Sequence, residues 1–300
     1  MRADRPSTTA AVVAAARALA SQGVPVAGAA DATAVGLLPR RWSEAVSFVE
    51  EAGRDGVPLR GFLRLASAGL VDHIALRTAT IDAAVTDAVA EGCDQLVVLG
   101  AGLDSRAWRL DCLAEVDVFE VDHPATQGWK QHRVDGQPPR ALSVVFAPID
   151  FEQDDLATVL AAAGHRIDAP TVWVWEGVTM YLAGPAVAAT LAVVAARSAP
   201  GSHLIASYMT PKVAPLGSLA ARAILAGFAS LGEPLVGALG TEDMAARLAQ
   251  VGMSVRFDAD SRQQAARLGT GSALAWVFQC ERVVVASVGR AAGRGANEAR

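Results

Sequence analysis

The spacing of apolar residues changes near residue 92. Over residues 72–91, Ile81, Val85 and Val89 recur at i, i+4 and i+8, which is typical of one face of a helix, and Gly92 is a natural C-terminal stop. The same reasoning predicts further helices before this point, at 8–21, Asp31–Glu51 and Arg60–Leu70. After it, short β-rich runs alternate with helical patterns. The runs are Gln95–Leu99, Val116–Val121, Leu142–Ala147, Thr171–Glu176, His203–Tyr208, Met253–Phe257 and Arg282–Val288.

Strands that alternate with helices favour a mainly parallel sheet with helices on both faces. The last two of the seven runs follow each other closely, which suits a sheet whose final strand is inserted antiparallel. We therefore predict an α/β fold, with residues 1–90 as a helical N-terminal cap and residues 91–288 as the core. Two of the intervening helices are predicted over Pro185–Ala196 and over Glu242–Val251, the second capped by Thr241.

The stretch 209–240 departs from this alternation. Three prolines and several glycines surround its apolar residues Leu219–Leu231, and it is too long for an ordinary connection. We interpret it as a helical lid inserted over the mouth of the sheet. Residues 289–300 are predicted to form a flexible tail.

The first β-rich run leads into a glycine turn, Val97-Val98-Leu99-Gly100-Ala101-Gly102-Leu103-Asp104. Glycines at such a turn let the backbone approach a ligand where a Cβ would collide with it. The second run is followed by Asp122, 20 residues after Gly102. A carboxylate there accepts hydrogen bonds from both ribose hydroxyls of an adenosine ligand. Together the two features predict a nucleoside site; a structural turn and a solvated acid are the alternative.

Asp104 indicates which nucleoside is bound. A dinucleotide site usually has a third glycine, where a helix N-terminus meets the pyrophosphate. Here the equivalent stretch is Leu103-Asp104-Ser105-Arg106, and Asp104 would repel a pyrophosphate but suits a sulfonium cofactor that carries an amino group. The turn therefore favours S-adenosylmethionine (SAM) over NAD. A salt bridge between Asp104 and Arg106 that shapes the loop is the alternative role.

Several motifs occur in order along the chain: Ser7-Thr8-Thr9-Ala10 with Arg17-Ala18, Asp31, Arg77-Thr78 with Asp82, Leu99-Gly100-Ala101-Gly102-Leu103-Asp104-Ser105-Arg106, Phe119-Glu120-Val121-Asp122-His123-Pro124 with Lys130, Trp175-Glu176-Gly177 with Met180-Tyr181-Leu182, and Gly232-Glu233-Pro234. With these motifs the chain resembles the leucine carboxyl methyltransferase family, in particular its bacterial branch of SAM-dependent O-methyltransferases of natural-product pathways. The resemblance spans almost the whole chain. It implies a Rossmann-like class I methyltransferase fold with SAM as cofactor.

The resemblance also implies roles for single residues. Arg77 would pair with the methionine carboxylate of SAM, Gly100 and Gly102 would line its methionine part, and Asp122 would hold the ribose. For Arg77, which follows Asp72 and His73 on a predicted helix, a surface ion pair is the alternative.

Four further residues complete the predicted site. By the resemblance, Asp150 and Phe151 would border the adenine, and Glu176 would lie beside the cofactor. Glu176 follows a very apolar run, and a carboxylate beyond a buried strand usually has a partner. Tyr181 follows a few residues later and is predicted to point into the acceptor pocket, with a packed aromatic as the alternative.

Composition and charge narrow the function classes. With 52% apolar and 19% charged residues, the 300-residue chain has the composition of a folded protein rather than a disordered one. A formal charge of −5 gives no basic footprint, so a nucleic-acid partner is not expected. The three cysteines are widely spaced and predict neither disulfides nor a metal site. No apolar run approaches the roughly 20 residues of a membrane helix, and we expect a cytoplasmic protein without a membrane partner.

The predicted reaction transfers the methyl group of SAM to a carboxylate or hydroxyl of a small molecule. A carboxylate acceptor is already ionised at neutral pH, whereas an alcohol or phenol needs a base. His73, His123 and His203 are candidate bases, but a single histidine is more often structural, so the pattern mildly favours a carboxylate. Three alternatives remain open: a methyltransferase of protein C-terminal carboxyl groups, a catalytically silent SAM-binding regulator, and an NAD(P)-dependent oxidoreductase. The sequence does not indicate the oligomeric state.

Overall fold

The computed structural model describes residues 7–21, 28–55, 69–151, 153–211, 236–270 and 278–289, together with the single positions 26, 57, 59, 64 and 67. Most of the predicted lid 209–240, most of the predicted helix Arg60–Leu70 and all but the first residue of the predicted tail 289–300 lie outside these residues.

The described residues form helices and strands in alternating order. The α-helices are α1 Thr8–Ala20, α2 Ala34–Leu37, α3 Arg40–Arg54, α4 Leu70–Ala90, α5 Arg106–Arg109, α6 Pro124–Val134, α7 Leu156–Ala162, α8 Gly184–Ala196, α9 Thr241–Gln250 and α10 Ser261–Arg267, with short 3-10 helices at Asp111–Leu113 and Thr179–Tyr181. The strands are β1 Gln95–Leu99, β2 Asp117–Asp122, β3 Ser143–Pro148, β4 Thr171–Trp175, β5 His203–Met209, β6 Met253–Asp260 and β7 Glu281–Val288.

The strands form one seven-stranded sheet in the order β3-β2-β1-β4-β5-β7-β6. β1 to β5 pair in parallel, and β7 is inserted antiparallel between β5 and β6. The predicted Rossmann-like α/β fold, with a mostly parallel sheet and an antiparallel last strand, is confirmed. Strand order reverses between β1 and β4, and at such a point the connections leave a crevice at the carboxyl ends of the strands.

The central strands are apolar on both faces because helices cover both. β1 and β4 are buried along their whole length, as expected for parallel strands inside an α/β layer. Alternate residues divide between two cores: Val98 packs with residues of α1 and α4, and its neighbour Val97 packs with residues of α7, α8 and α9. The N-terminal helices thus share a core with the sheet, while the domain boundary at 90/91 stays a prediction.

Two predicted helix starts are wrong by a residue, since the helix predicted over Pro185–Ala196 begins at Gly184. The helix predicted over Glu242–Val251 with Thr241 as its cap begins at Thr241, and Gly240 is the cap residue. The Gly240 N–H donates to Asp243 Oδ2 at 3.3 Å, so the first-turn acid supplies the side-chain part of the cap. Among the helices described, none combines the length and apolarity needed to cross a membrane.

Candidate functional site

A cleft of about 590 Å³ lies at the carboxyl edge of the sheet, where the strand order reverses. Its walls come from the segments that follow β1, β2, β3 and β4, with α1 and α4 on one side. All nine residues predicted for the site line this cleft: Arg77, Gly100, Gly102, Asp104, Asp122, Asp150, Phe151, Glu176 and Tyr181. The structure therefore brings the predicted set together, and what each residue binds there stays a prediction.

The glycine turn is held against the end of β2 by main-chain hydrogen bonds. The N–H groups of Gly100 and Ala101 both donate to Val121 O, at 2.8 and 3.1 Å. Gly100 and Gly102 have φ values of 67° and 51°, which residues with a side chain rarely adopt. A Cβ at Gly100 would lie 2.5 Å from Val178 Cγ2. The chain's own packing thus requires glycine at this turn, in addition to any need of a ligand.

A comparison of two glycines separates strain from packing. Gly136 has a φ of 72° with nothing within 4 Å of the position that a Cβ would take, whereas the Cβ of Gly100→Ala meets Val178. Each alanine should cost about 1–2 kcal/mol of left-handed strain, and Gly100→Ala more because of the contact with Val178. Urea unfolding of both variants measures the difference. Equal losses would show that Val178 yields without cost.

The glycine turn also fixes the side chain of Asp122. Its Oδ2 accepts a hydrogen bond from the Gly102 N–H, and its Oδ1 accepts one from the His123 N–H at 2.6 Å. Burial raises the pKa of this carboxyl, and the two main-chain donors only partly oppose the rise. Each oxygen keeps a second lone pair. The carboxylate can therefore accept two further hydrogen bonds from the cleft, such as those of adjacent hydroxyl groups.

Asp104 is paired inside the turn. It accepts hydrogen bonds from the Arg106 main-chain N–H, at 2.7 Å, and from the Arg106 guanidinium. Burial would raise the pKa of Asp104, but the positive charges of Arg106, Lys130 and Arg17 together outweigh it and the pKa is lowered. The loop-shaping salt bridge that the sequence left open is therefore present, and Asp104 lines the cleft as well.

Glu176 lies between two arginines at the end of β4. Its Oε1 accepts from Arg77 Nε at 2.9 Å, and its Oε2 accepts from Arg106 Nη2 at 2.8 Å. Burial opposes ionisation, yet Arg106 and Arg77 hold the pKa of Glu176 far below its usual value. The partner expected for this carboxylate is thus found. Arg77 is only 4% exposed, so the alternative of a surface ion pair is wrong.

Further charged residues extend this network beyond the predicted set. Asp82 accepts from Arg106 Nε at 2.7 Å and from Arg109 Nη1 at 2.5 Å. Arg17 lines the cleft, donates to Leu103 O and lies 3.0 Å from Asp31. Asp82, Arg17 and Asp31 stood in the sequence motifs but had no role there.

Only one of the three candidate bases lies at the cleft among the described residues. His123 lines it, but its Nδ1 accepts a hydrogen bond from the Ala125 N–H at 3.2 Å and caps α6. In the neutral ring the proton is then on Nε2, so neither nitrogen is free to take a proton from an acceptor. His73 is buried against Glu281, and His203 lies near Glu91 at the other end of the sheet.

The remaining predicted residues lie at the rim. Asp150 Oδ2 accepts from Gln153 at 2.7 Å, in the turn after β3, and Phe151 beside it is 49% exposed. Tyr181 ends the 3-10 helix that follows β4. The motif Gly232-Glu233-Pro234 lies outside the described residues. An exposed aromatic at a cleft rim offers a flat apolar surface to a bound ring.

Comparisons with known proteins bear on this site. A family model described as leucine carboxyl methyltransferase matches residues 10–195. A protein of Mycobacterium avium (strain 104), provisionally named an S-adenosyl-L-methionine-dependent methyltransferase, is 37% identical over 222 residues, which cover 72% of this chain and 68% of that protein. A protein of Mycolicibacterium paratuberculosis (strain ATCC BAA-968 / K-10) with the same provisional name is 41% identical over 152 residues, covering 50% of this chain and 47% of that protein. The chain spans a similar share, about half, of further curated relatives.

A solved structure is similar to the chain in fold. The crystal structure of a DUF574 family protein from Streptomyces avermitilis MA-4680 matches with a TM-score of 0.55 and 15% sequence identity, over 74% of this chain and 89% of that one. At such low identity the likeness shows a shared fold only.

Proposed function

The chain belongs to the leucine carboxyl methyltransferase family and is a SAM-dependent methyltransferase, and from this premise we propose that it methylates an oxygen atom of a small molecule, a carboxylate before a hydroxyl. We place this reaction in natural-product metabolism, following the resemblance seen in the sequence. The observation that carries the proposal is the convergence of the glycine turn, Asp122 and Glu176 in one cleft.

The residues of the cleft fit the cofactor. Asp122 keeps lone pairs for the two ribose hydroxyls, and the main chain of Gly100 to Gly102 lines the part of the cleft where the methionine part would lie. Arg77 and the paired carboxylates Asp104 and Glu176 offer both signs of charge to a group that carries a carboxylate, an ammonium and a sulfonium. When bound, SAM supplies a methyl group on a sulfonium, which is already a good leaving group.

The protein's contribution is then alignment and exclusion of water. Holding an acceptor oxygen in line with the methyl group supplies roughly 7–11 kcal/mol of barrier reduction in well-oriented systems. His123 is engaged as a helix cap, so the described part of the cleft has no histidine positioned as a general base. A carboxylate acceptor needs none. This favours methyl-ester formation over methylation of an alcohol or phenol.

A labelled-methyl screen tests the proposal. The protein is incubated with methyl-labelled SAM and, in separate reactions, with small carboxylic acids, phenols, alcohols and a peptide with a free C-terminus. We expect label in products of small acids, released again by mild base because methyl esters hydrolyse under alkaline conditions. Base-stable label on phenols would show that the acceptor is a hydroxyl and not a carboxylate. Label on the peptide would favour a protein substrate. SAM binding without methyl transfer to any of these acceptors would favour the alternative of a catalytically silent SAM-binding regulator.

A further inference from the structure

Arg77 is held from two sides by carboxylates. Glu176 accepts from its Nε at 2.9 Å, and Glu281 accepts from its Nη1 at 2.8 Å. The third nitrogen, Nη2, lies 3.7 Å from the position a Cβ would take at Gly177, a residue of the cleft wall. The two carboxylates therefore fix the plane of the guanidinium and leave its remaining edge toward the cleft.

Glu281 is fixed in turn by a residue one helical turn before Arg77. Its second oxygen, Oε2, bonds to His73 Nε2, and His73 stacks on Phe278 with ring centroids 4.8 Å apart. His73 and Glu281 are 1% and 7% exposed. One carboxylate thus bridges positions i and i+4 of α4, so that Arg77 has little freedom to rotate. Burial would raise the pKa of Glu281, but Arg77 and His73 outweigh it and hold the pKa near 2.

The sheet explains why a residue so distant in sequence reaches the cleft. β7 runs antiparallel, so its first residue, Glu281, pairs with Met209 at the carboxyl end of β5. That edge carries the cleft. The strand's next residue, Arg282, bonds to Asp258 at 2.8 Å, away from Arg77. β7 therefore presents a carboxylate to Arg77 at the edge where ligands bind.

We propose that Glu281 is a positioning residue of the cofactor site: with His73 behind it, it orients Arg77 toward the amino-acid part of the cofactor. This inference rests on the proposed function, because it assumes that Arg77 faces that part of SAM. It adds a residue that is not among those lining the cleft and acts through Arg77. The consequence is specific. Loss of Glu281 should weaken binding of the amino-acid part and leave binding of the nucleoside part unchanged.

Two ligands separate these parts. S-adenosylhomocysteine carries the nucleoside and the amino acid, whereas 5′-methylthioadenosine carries the nucleoside and the sulfur alone. Calorimetry gives both dissociation constants for the wild type, Glu281→Ala and Glu281→Gln. We expect Glu281→Ala to weaken S-adenosylhomocysteine about tenfold, the scale of one charge-assisted hydrogen bond, with 5′-methylthioadenosine unchanged. Glu281→Gln keeps a carbonyl acceptor for Arg77 and should recover most of the loss.

Asp258→Ala is the matched control, since it removes the carboxylate partner of the adjacent β7 residue without touching Arg77. It should leave the ratio of the two constants as in the wild type. His73→Gln should shift the ratio in the same direction as Glu281→Ala but less, and it serves if Glu281→Ala does not fold. Equal weakening of both ligands, or of neither, would overturn the inference. If the wild type binds neither ligand, the proposed function itself fails.

Discussion

Asp122→Ala is expected to weaken binding of S-adenosylhomocysteine by at least about 100-fold, because two charge-assisted hydrogen bonds to ribose hydroxyls are lost, each worth about 1.5 kcal/mol or more. The carboxylate lies where β2 ends beside the glycine turn, and both of its oxygens already accept a main-chain N–H. Its position is therefore set before a ligand arrives. Calorimetric titration measures the change.

The same hydrogen bonds make a structural control necessary. Asp122→Ala frees the N–H groups of Gly102 and His123, so part of the loss could come from a loosened turn. Asp122→Asn keeps one acceptor and has nearly the same shape, and it should still lose most of the affinity because an amide cannot accept from two hydroxyls and two N–H groups at once. Asp117→Asn, at the other end of β2, is the matched variant and should bind normally. Wild-type affinity in Asp122→Ala would end the assignment of the ribose contact.

The strands that were predicted best are those buried on both faces. β1 has the predicted bounds, Gln95–Leu99, because the apolar run 96–99, between turn residues and within an alternating β/α pattern, has few alternative structures. β6 extends three residues past its predicted end at Phe257. It is an edge strand with an irregular register between Val255 and Phe257, and its last residues are partly polar. Sequence pattern reports burial, so a strand with one exposed face and a polar end gives a weak signal.

The residues of the candidate site also differ in how well the sequence could predict them. Gly100, Gly102 and Asp122 could be predicted because a glycine turn and an acid, each after a strand, have a fixed meaning once two parallel strands are adjacent. Glu281 could not. It lies 204 residues from Arg77, and the two meet only because β7 is inserted antiparallel between β5 and β6. A charged residue at the start of an apolar run is the single signal the sequence offers, and it does not name the partner.

Arg106 pairs with carboxylates from three separate segments of the chain. Its guanidinium meets Asp82, Asp104 and Glu176, and its side chain is 1% exposed. Opposite charges in a buried cluster compensate one another's lost hydration, so removal of one leaves the others uncompensated. We therefore expect the free energy of unfolding to depend on Arg106, which also holds Asp104 and Glu176 in their positions at the cleft.

Arg106→Met is accordingly expected to lower the free energy of unfolding by about 3–5 kcal/mol, the cost of leaving a buried charge without its partner. Arg40→Met is the matched control: Arg40 Nε lies 2.7 Å from Glu44, the same distance as Arg106 Nε from Asp82, but both side chains of that pair are exposed. It should leave stability almost unchanged. Similar losses in the two variants, measured by urea unfolding, would mean that burial does not decide the effect.

The pH dependence of the Arg106→Met effect gives a second check. In the wild type the pKa values of Asp104 and Glu176 lie below their usual 3.8 and 4.5, so the stability from these pairs is present above that range and is lost as pH falls through the lowered values. Without Arg106 the same carboxyl groups should have higher pKa values, because burial then has less charge to oppose it, and the folded variant takes up protons more readily than the unfolded chain. The stability gap between wild type and variant should therefore narrow as pH is lowered, beginning above about 4.5, where the carboxyl groups of the folded variant take up protons, and continuing below it, where the wild type loses its own stabilisation. A gap that stays constant would assign the loss to packing of the arginine stem instead of to its charge.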